Sequence, residues 1–344
     1  MTAAVKHYFE IEHNLIISDD CITCVPLEGE GKVEDRVNLL YTNLINNSEW
    51  LEAVSSADVI LWATHSQGTP VSVRLLHRLL ERGHIHTHRQ SVGLLAMAGI
   101  AHGPFPYLKG SLIVKYFEAD AARELFEFMD SESDISQKFR ASLVAILDRG
   151  TRVTLVASMQ DQVVPLYSAI ISAIQHPNIL RSIYIDSHIY YVDDFLINLI
   201  TFALQLRNAG LSDHGLLTHI SDVLAGNLYA FEGGHSTIYE ERHVYGMAVQ
   251  HLFETLPLGR CVLIDPPVQP VNPKIHPFQA KAVKNPYCLP WAMRGICEDP
   301  GIISHPTWSK QLEHLHSLFE AWQPTNPKLH SVKLRLEPWS LAMI

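Results

Sequence analysis

Short, unbroken apolar runs alternate with stretches of helical spacing along the first 260 residues. Residues 57–64 (ADVILWAT), 91–100 (SVGLLAMAGI), 152–158 (RVTLVAS) and 180–185 (LRSIYI) have the texture of strands buried on both faces. Residues 20–27 (DCITCVPL) read as another strand, and 227–231 as a short extended piece. Helical spacing marks 3–14, 33–45, 69–82, 121–129, 135–147, 165–174, 193–208, 215–224 and 247–254. In the third of these Val71, Leu75, Leu76, Leu79 and Leu80 share one face, and Gly83 suits its end.

This alternation predicts an α/β fold, a mostly parallel sheet with helices on both faces. The predicted core is 1–260. Helices over about 104–150, between two core strands, are expected to form a lid, and about 190–225 a helical insertion. Beyond 261 the texture changes, because Pro266, Pro267, Pro270, Pro273 and Pro277 interrupt regular structure. A helix over about 307–322 and an edge strand over 330–336 are expected to follow. Trp291, Trp308, Trp322 and Trp339 would anchor 261–344 as an extension packed on the core.

Composition narrows the function. The 344 residues are 47% hydrophobic and 18% charged, enough for a sizeable core and too apolar for disorder. A formal net charge of −10 argues against binding nucleic acid or an anionic lipid surface. No export leader is evident, and the longest apolar stretch, 195–206, is too short to span a bilayer. The five cysteines are odd in number and scattered, so a soluble protein of a reducing, cytoplasmic compartment is expected. Cys21 and Cys24 form a C-x-x-C inside the expected strand, which favours a structural role over zinc or redox chemistry. The GEGK sequence at 29–32 lacks the first glycine of a phosphate loop, and Val33 stands where a magnesium-binding hydroxyl belongs. His84, His86 and His88 have no carboxylate partner evident, so no metal is expected.

The chemistry centres on Thr64-His65-Ser66-Gln67-Gly68. It matches the G-x-S-x-G nucleophile elbow except that Thr64 replaces the first glycine. A buried strand before it and an amphipathic helix after it supply the required context. Ser66 Oγ would then stand at the carboxyl end of the sheet, with Gln67 N–H at the helix start as an oxyanion donor. A nucleophilic serine needs a histidine base, and that histidine an orienting carboxylate, in the chain order Ser, acid, His. Asp161 follows the end of the strand at 152–158 and is the expected acid. His235, in Glu232-Gly-Gly-His235-Ser, is the expected base, with His188 as its rival. His65 and His102 are candidates to line the pocket, the alternative for His102 being to satisfy its own loop.

With THSQG, MQDQVVP and EGGHS together, the chain resembles an α/β-hydrolase, and more closely a group of largely uncharacterised fungal hydrolase-like proteins. LEGEGK before the elbow, AGIAHGPF, SDHGLL, NPYCLPWAMRG and KLRLEPW also resemble that group, so the resemblance covers nearly the whole chain. It implies a cofactor-free serine hydrolase, esterase- or lipase-like, acting on a small-molecule or lipid-like ester; acyl transfer would use the same residues. One departure stands out. The group carries an upstream strand ending in a His-Gly loop that supplies a second oxyanion donor, and no such segment is evident here. The sheet would then hold a gap, or the strand at 20–27 would move over to fill it. The alternative function is therefore a non-catalytic or truncated hydrolase-like protein with part of the oxyanion hole missing.

Overall fold

The computed structural model describes residues 1–110, 119–185, 194–224, 235–255, 273–276, 278, 288–324 and 327–342. Four parallel strands form the central sheet: β1 (Val59–His65), β2 (Ser91–Met97), β3 (Arg152–Ser158) and, beyond a two-residue strand β4 (Ile174–Gln175), β5 (Ile179–Tyr184). Their spatial order is β1-β2-β3-β5. Every residue of β3 is buried, and so is nearly all of β2, as the unbroken apolar runs require.

Alternate side chains of these strands feed two separate layers. Leu94, Ala96, Val153 and Leu155 pack with Val37, Leu40 and Leu44 of helix α2 (Val33–Asn46), which follows α1 (Thr2–His13) in the chain. The same cluster holds Val71, Leu75, Leu76 and Leu79 of α4 (Gly68–Glu81), which follows α3 (Ser48–Ser56) and β1. Leu95, Met97 and Val156 face the other way, onto Val244 and Ala248 near the carboxyl end of the core. Glu34 on α2 forks to Arg74 (2.6 Å) and Arg78 (2.7 Å) of α4, tying the two helices together at their polar edge.

The stretch 104–150 divides in two. Its second helix, α6 (Asp134–Asp148), packs through Phe139, Leu143 and Ile146 in the same cluster as α4, as a crossover between β2 and β3. Its first, α5 (Ala119–Glu127), puts Ala121, Leu125 and Phe126 at the rim of a cavity beside Ser66. After β3 the expected helix at 165–174 shortens to a single turn, α7 (Leu166–Ala169), because the chain then turns through Ile171, φ 50°, into β4. Helices α8 (Phe195–Asn208), α9 (Leu216–Leu224) and α10 (Arg242–Glu254) follow. The strand piece expected at 227–231 and most of the proline-rich stretch lie outside the described residues.

Several expectations are corrected. Residues 20–27 contain no strand: Asp19–Cys21 is one 3₁₀ turn, and no main-chain hydrogen bond joins the segment to β1. It does not join the free edge of β1, along which a cavity runs instead, and Pro26 could not donate to that edge. The neighbouring Cys21 and Cys24 are consequently exposed rather than inside a strand. Among the described residues no strand pairs with the outer edge of β1, and a cavity lined by 22–25 runs along it, so a space stands where the gap was expected and this segment does not fill it.

The edge strand expected at 330–336 is instead helical, α14 (Pro327–Ala342), reached after β6 (Lys274–Ile275), α11 (Cys288–Glu298), α12 (Pro300–Ile303) and α13 (Pro306–Ala321). Val332, Leu334 and Leu336 alternate as a strand would, but the buried set is Leu329, Val332, Leu336 and Trp339, one helical face. That face packs with Met293, Phe319 and Trp322 onto Phe195 and Leu199 of α8, so the carboxyl-terminal helices share one core with the hydrolase-like part. Trp291, expected as an anchor, is 64% exposed and lies under Arg294. Among the described residues no helix is long and apolar enough to cross a membrane, and no group of side chains has the makings of a metal site.

Candidate active site

Ser66 sits between the last residue of β1 and the start of α4 with φ 53°, the left-handed region that non-glycine residues rarely occupy. Three main-chain hydrogen bonds hold it there: Ser66 N–H donates to Met97 O (3.0 Å), and Ser66 O accepts from Thr69 N–H (3.1 Å) and Ile100 N–H (3.2 Å). The strain is thus carried by β2 and by the first turn of α4. The following Gln67 N–H makes no hydrogen bond among the described residues, which leaves it available to an oxyanion.

The irregular first position of the elbow has a local consequence. A Cβ on Gly68 would lie 2.6 Å from Thr64 Oγ1, so the larger residue at 64 requires the smallest one at 68. Gly68→Ala is expected to cost about 1–3 kcal/mol, and Thr64→Gly in the same chain to restore most of it. Thermal unfolding of the two single variants and the double variant measures this; simple additivity would contradict it.

Asp161 follows β3 in a tight loop. Its Oδ1 accepts from Val163 N–H and Val164 N–H, both 2.8 Å, and its side chain is only 1% exposed. Its Oδ2 lies 2.8 Å from His235 Nδ1, and His235 Nε2 lies 2.9 Å from Ser66 Oγ. A carboxylate only accepts, so His235 Nδ1 carries the proton, and Nε2 is left to accept the Ser66 hydroxyl. The three residues singled out in sequence therefore meet in one hydrogen-bonded line, from positions 66, 161 and 235. His188 lies outside the described residues.

His65 also reaches this site. Its Nε2–H donates to the His235 carbonyl at 2.7 Å, and its ring lies 4.6 Å from that of His235 and 5.2 Å from that of Tyr239. Burial lowers its proton affinity. Beside the line opens a cavity of about 1690 Å³ that runs along β1 and reaches Ser66, His65 and His235. Its walls include Leu40, Val71, Leu75, Leu125 and Phe126, and Ile22 to Val25 face β1 across it.

His102, a candidate for the lining, does not belong to that cavity and takes the alternative role. It is buried, its Nε2 accepts from Ala173 N–H (3.3 Å), and its ring stacks on Phe278. The turn at 101–102 is instead pinned by Ser168 Oγ, which accepts from Ala101 N–H and His102 N–H. Nothing in the local sequence distinguished this packing role from a lining one. Burial, aided by Arg140, pushes the His102 pKa down to about 3.

An unfolded chain protonates this histidine near 6.5, so between those values the unfolded state holds the extra proton. Stability is therefore full above about pH 6.5 and falls as pH drops. His251, on Thr154 and lowered to about 4, acts in the same direction. Between about pH 7 and pH 5, His102 alone should remove about 2 kcal/mol. His102→Asn should flatten the pH dependence of thermal unfolding, and an unchanged slope would contradict this assignment.

Other histidines fall elsewhere. His84 bonds to Tyr41 Oη (3.1 Å), His86 and His88 lie against each other, and His243 is exposed on α10. Asp213 caps α9 through Leu217 N–H, while His214 pairs with Asp299.

The chain was also compared with known proteins. No curated protein and no solved structure matches it. A family model described as the YMC0/YMC35 alpha/beta hydrolase domain matches residues 1–300, which includes β1, the elbow, Asp161 and His235. The chain belongs to this family of α/β hydrolases.

Proposed function

We propose that the protein is a serine hydrolase of carboxylic esters, with Ser66 as nucleophile, His235 as general base and acid, and Asp161 as the acid that orients His235. The observation that carries this reading is the unbroken hydrogen-bonded line Asp161–His235–Ser66 at 2.8 and 2.9 Å, ending on a serine in a strained turn. In the first step Ser66 Oγ attacks the ester carbonyl carbon while its proton passes to His235 Nε2. Gln67 N–H stabilises the oxyanion. His235 then protonates the departing alkoxide, leaving an acyl group on Ser66, and water repeats the sequence to release the acid. The apolar walls at Leu40, Leu75, Leu125 and Phe126 suit an acyl or lipid-like chain.

A second reading is favoured by one observation. Among the described residues no strand precedes β1, so the loop expected to furnish a second oxyanion donor has no counterpart there. Loss of one such donor typically costs about a hundredfold to a thousandfold in turnover. A hydrolase-like protein with slow or absent chemistry is the alternative. Rapid-mixing kinetics with 4-nitrophenyl butyrate separates the two. The catalytic reading predicts a burst of nitrophenolate approaching one per chain, followed by slower steady release. Folded protein that releases none above the buffer rate would favour the alternative.

A further inference from the structure

We propose that His65 is a positioning residue for the reaction, tethering the main chain of His235 to the strand that carries Ser66. This rests on the reading of Ser66 and His235 as the reacting pair.

His65 is the last residue of β1, directly before Ser66, so its backbone is fixed by the same pairing with β2 that fixes the nucleophile. Its Nε2 reaches across to the His235 carbonyl at 2.7 Å. Among the described residues no main-chain hydrogen bond holds His235 itself; the nearest such bond is Tyr239 N–H to Ser236 O, one residue on. Asp161 grips the imidazole at Nδ1 but does not reach the backbone that carries it. His65 therefore supplies a hold that the acid cannot, linking the nucleophile's strand to the base's loop through one donor.

The tether needs a proton on Nε2, which the neutral Nε2–H tautomer provides. A neutral ring is also the right neighbour, because His235 becomes cationic when it takes the Ser66 proton and the two rings are 4.6 Å apart. The groups facing His65 are His235, Tyr239 and, beyond His235, Asp161. The Tyr239 ring packs against that of His65 with the two planes at 74°, and the Tyr239 carbonyl accepts from Tyr245 Oη (2.6 Å). The ring thus has a packing role as well as a donor, and the two can be separated by substitution.

His65→Phe keeps the ring and removes the donor, whereas His65→Gln keeps an N–H at comparable reach and removes the ring. With 4-nitrophenyl butyrate, His65→Phe is expected to lower kcat about ten- to hundredfold with KM little changed, the pattern of a misplaced catalytic group. His65→Gln should recover most of that loss. The strongly deshielded proton on His235 Nδ1, read by proton NMR, should broaden or vanish in His65→Phe and persist in His65→Gln. Equal losses in both variants, or a full-strength signal in His65→Phe, would overturn the proposal. If the wild-type chain turns over no ester, the hydrolase reading fails, and the NMR comparison still decides whether His65 holds His235.

Discussion

Replacing Ser66 with Ala is expected to lower kcat/KM for 4-nitrophenyl butyrate by about 10⁴-fold or more. Ser66 Oγ is the atom that accepts the acyl group in the proposed route, and among the described residues no other hydroxyl bonds to His235 Nε2. What remains would come from binding and from the oxyanion donor alone. His235→Ala should cost about as much, and the double variant little more than either, because the pair acts as one unit. Ser66→Gly adds a second readout. At φ 53° a glycine relieves the backbone strain, so this variant should lose activity and gain roughly 1 kcal/mol of stability. A Ser66→Ala protein that kept even a tenth of the activity would place the chemistry elsewhere.

The second large effect is expected from Asp161→Asn, about 10³–10⁴-fold in kcat. The substitution keeps the loop intact, because the Asn carbonyl oxygen can still accept from Val163 N–H and Val164 N–H. Its amide group, however, donates toward His235 Nδ1 where the carboxylate accepted. His235 then takes the opposite tautomer, with the proton on Nε2, and cannot receive the one from Ser66. Thermal stability close to that of the wild type would accompany the lost rate. A merely structural Asp161 would show the reverse, an unstable protein with proportionate activity.

The parts of this fold that were legible in sequence are those in which one strong pattern had no competitor. β3 matches the expected strand residue for residue, and β1, β2 and β5 lie within a few positions of theirs, because strands buried on both faces leave unbroken apolar runs. Ser66, Asp161 and His235 were legible because a strained elbow, an acid after a strand end and a histidine beside paired glycines each carry a local signature. What failed depended on partners. DCITCVPL has the composition of a strand, but it makes no main-chain hydrogen bond to the edge of β1 beside it and stays a turn and an irregular segment.

The carboxyl-terminal α14 failed differently. Val332, Leu334 and Leu336 satisfy a period of two as well as one of 3.6, and only the packing of Leu329 and Trp339 against α8 and α13 decides for the helix. Sequence left His102 between the pocket and its own loop because a loop histidine at a strand end can point to either side of the chain. The reach of His65 to the His235 carbonyl depends on a distance between positions 170 residues apart, which no local pattern encodes.

The measurement that bears most directly on the central claim is covalent labelling of the purified chain by a fluorescent fluorophosphonate, comparing the wild type with Ser66→Ala and His235→Ala. The reagent reacts only with an activated serine, so it tests the line Asp161–His235–Ser66 without requiring the right ester. Stoichiometric labelling of the wild type, abolished in both variants and mapped to Ser66 by peptide mass, is the predicted result. A folded wild-type protein that takes no label, or one labelled equally well without Ser66, would contradict the account.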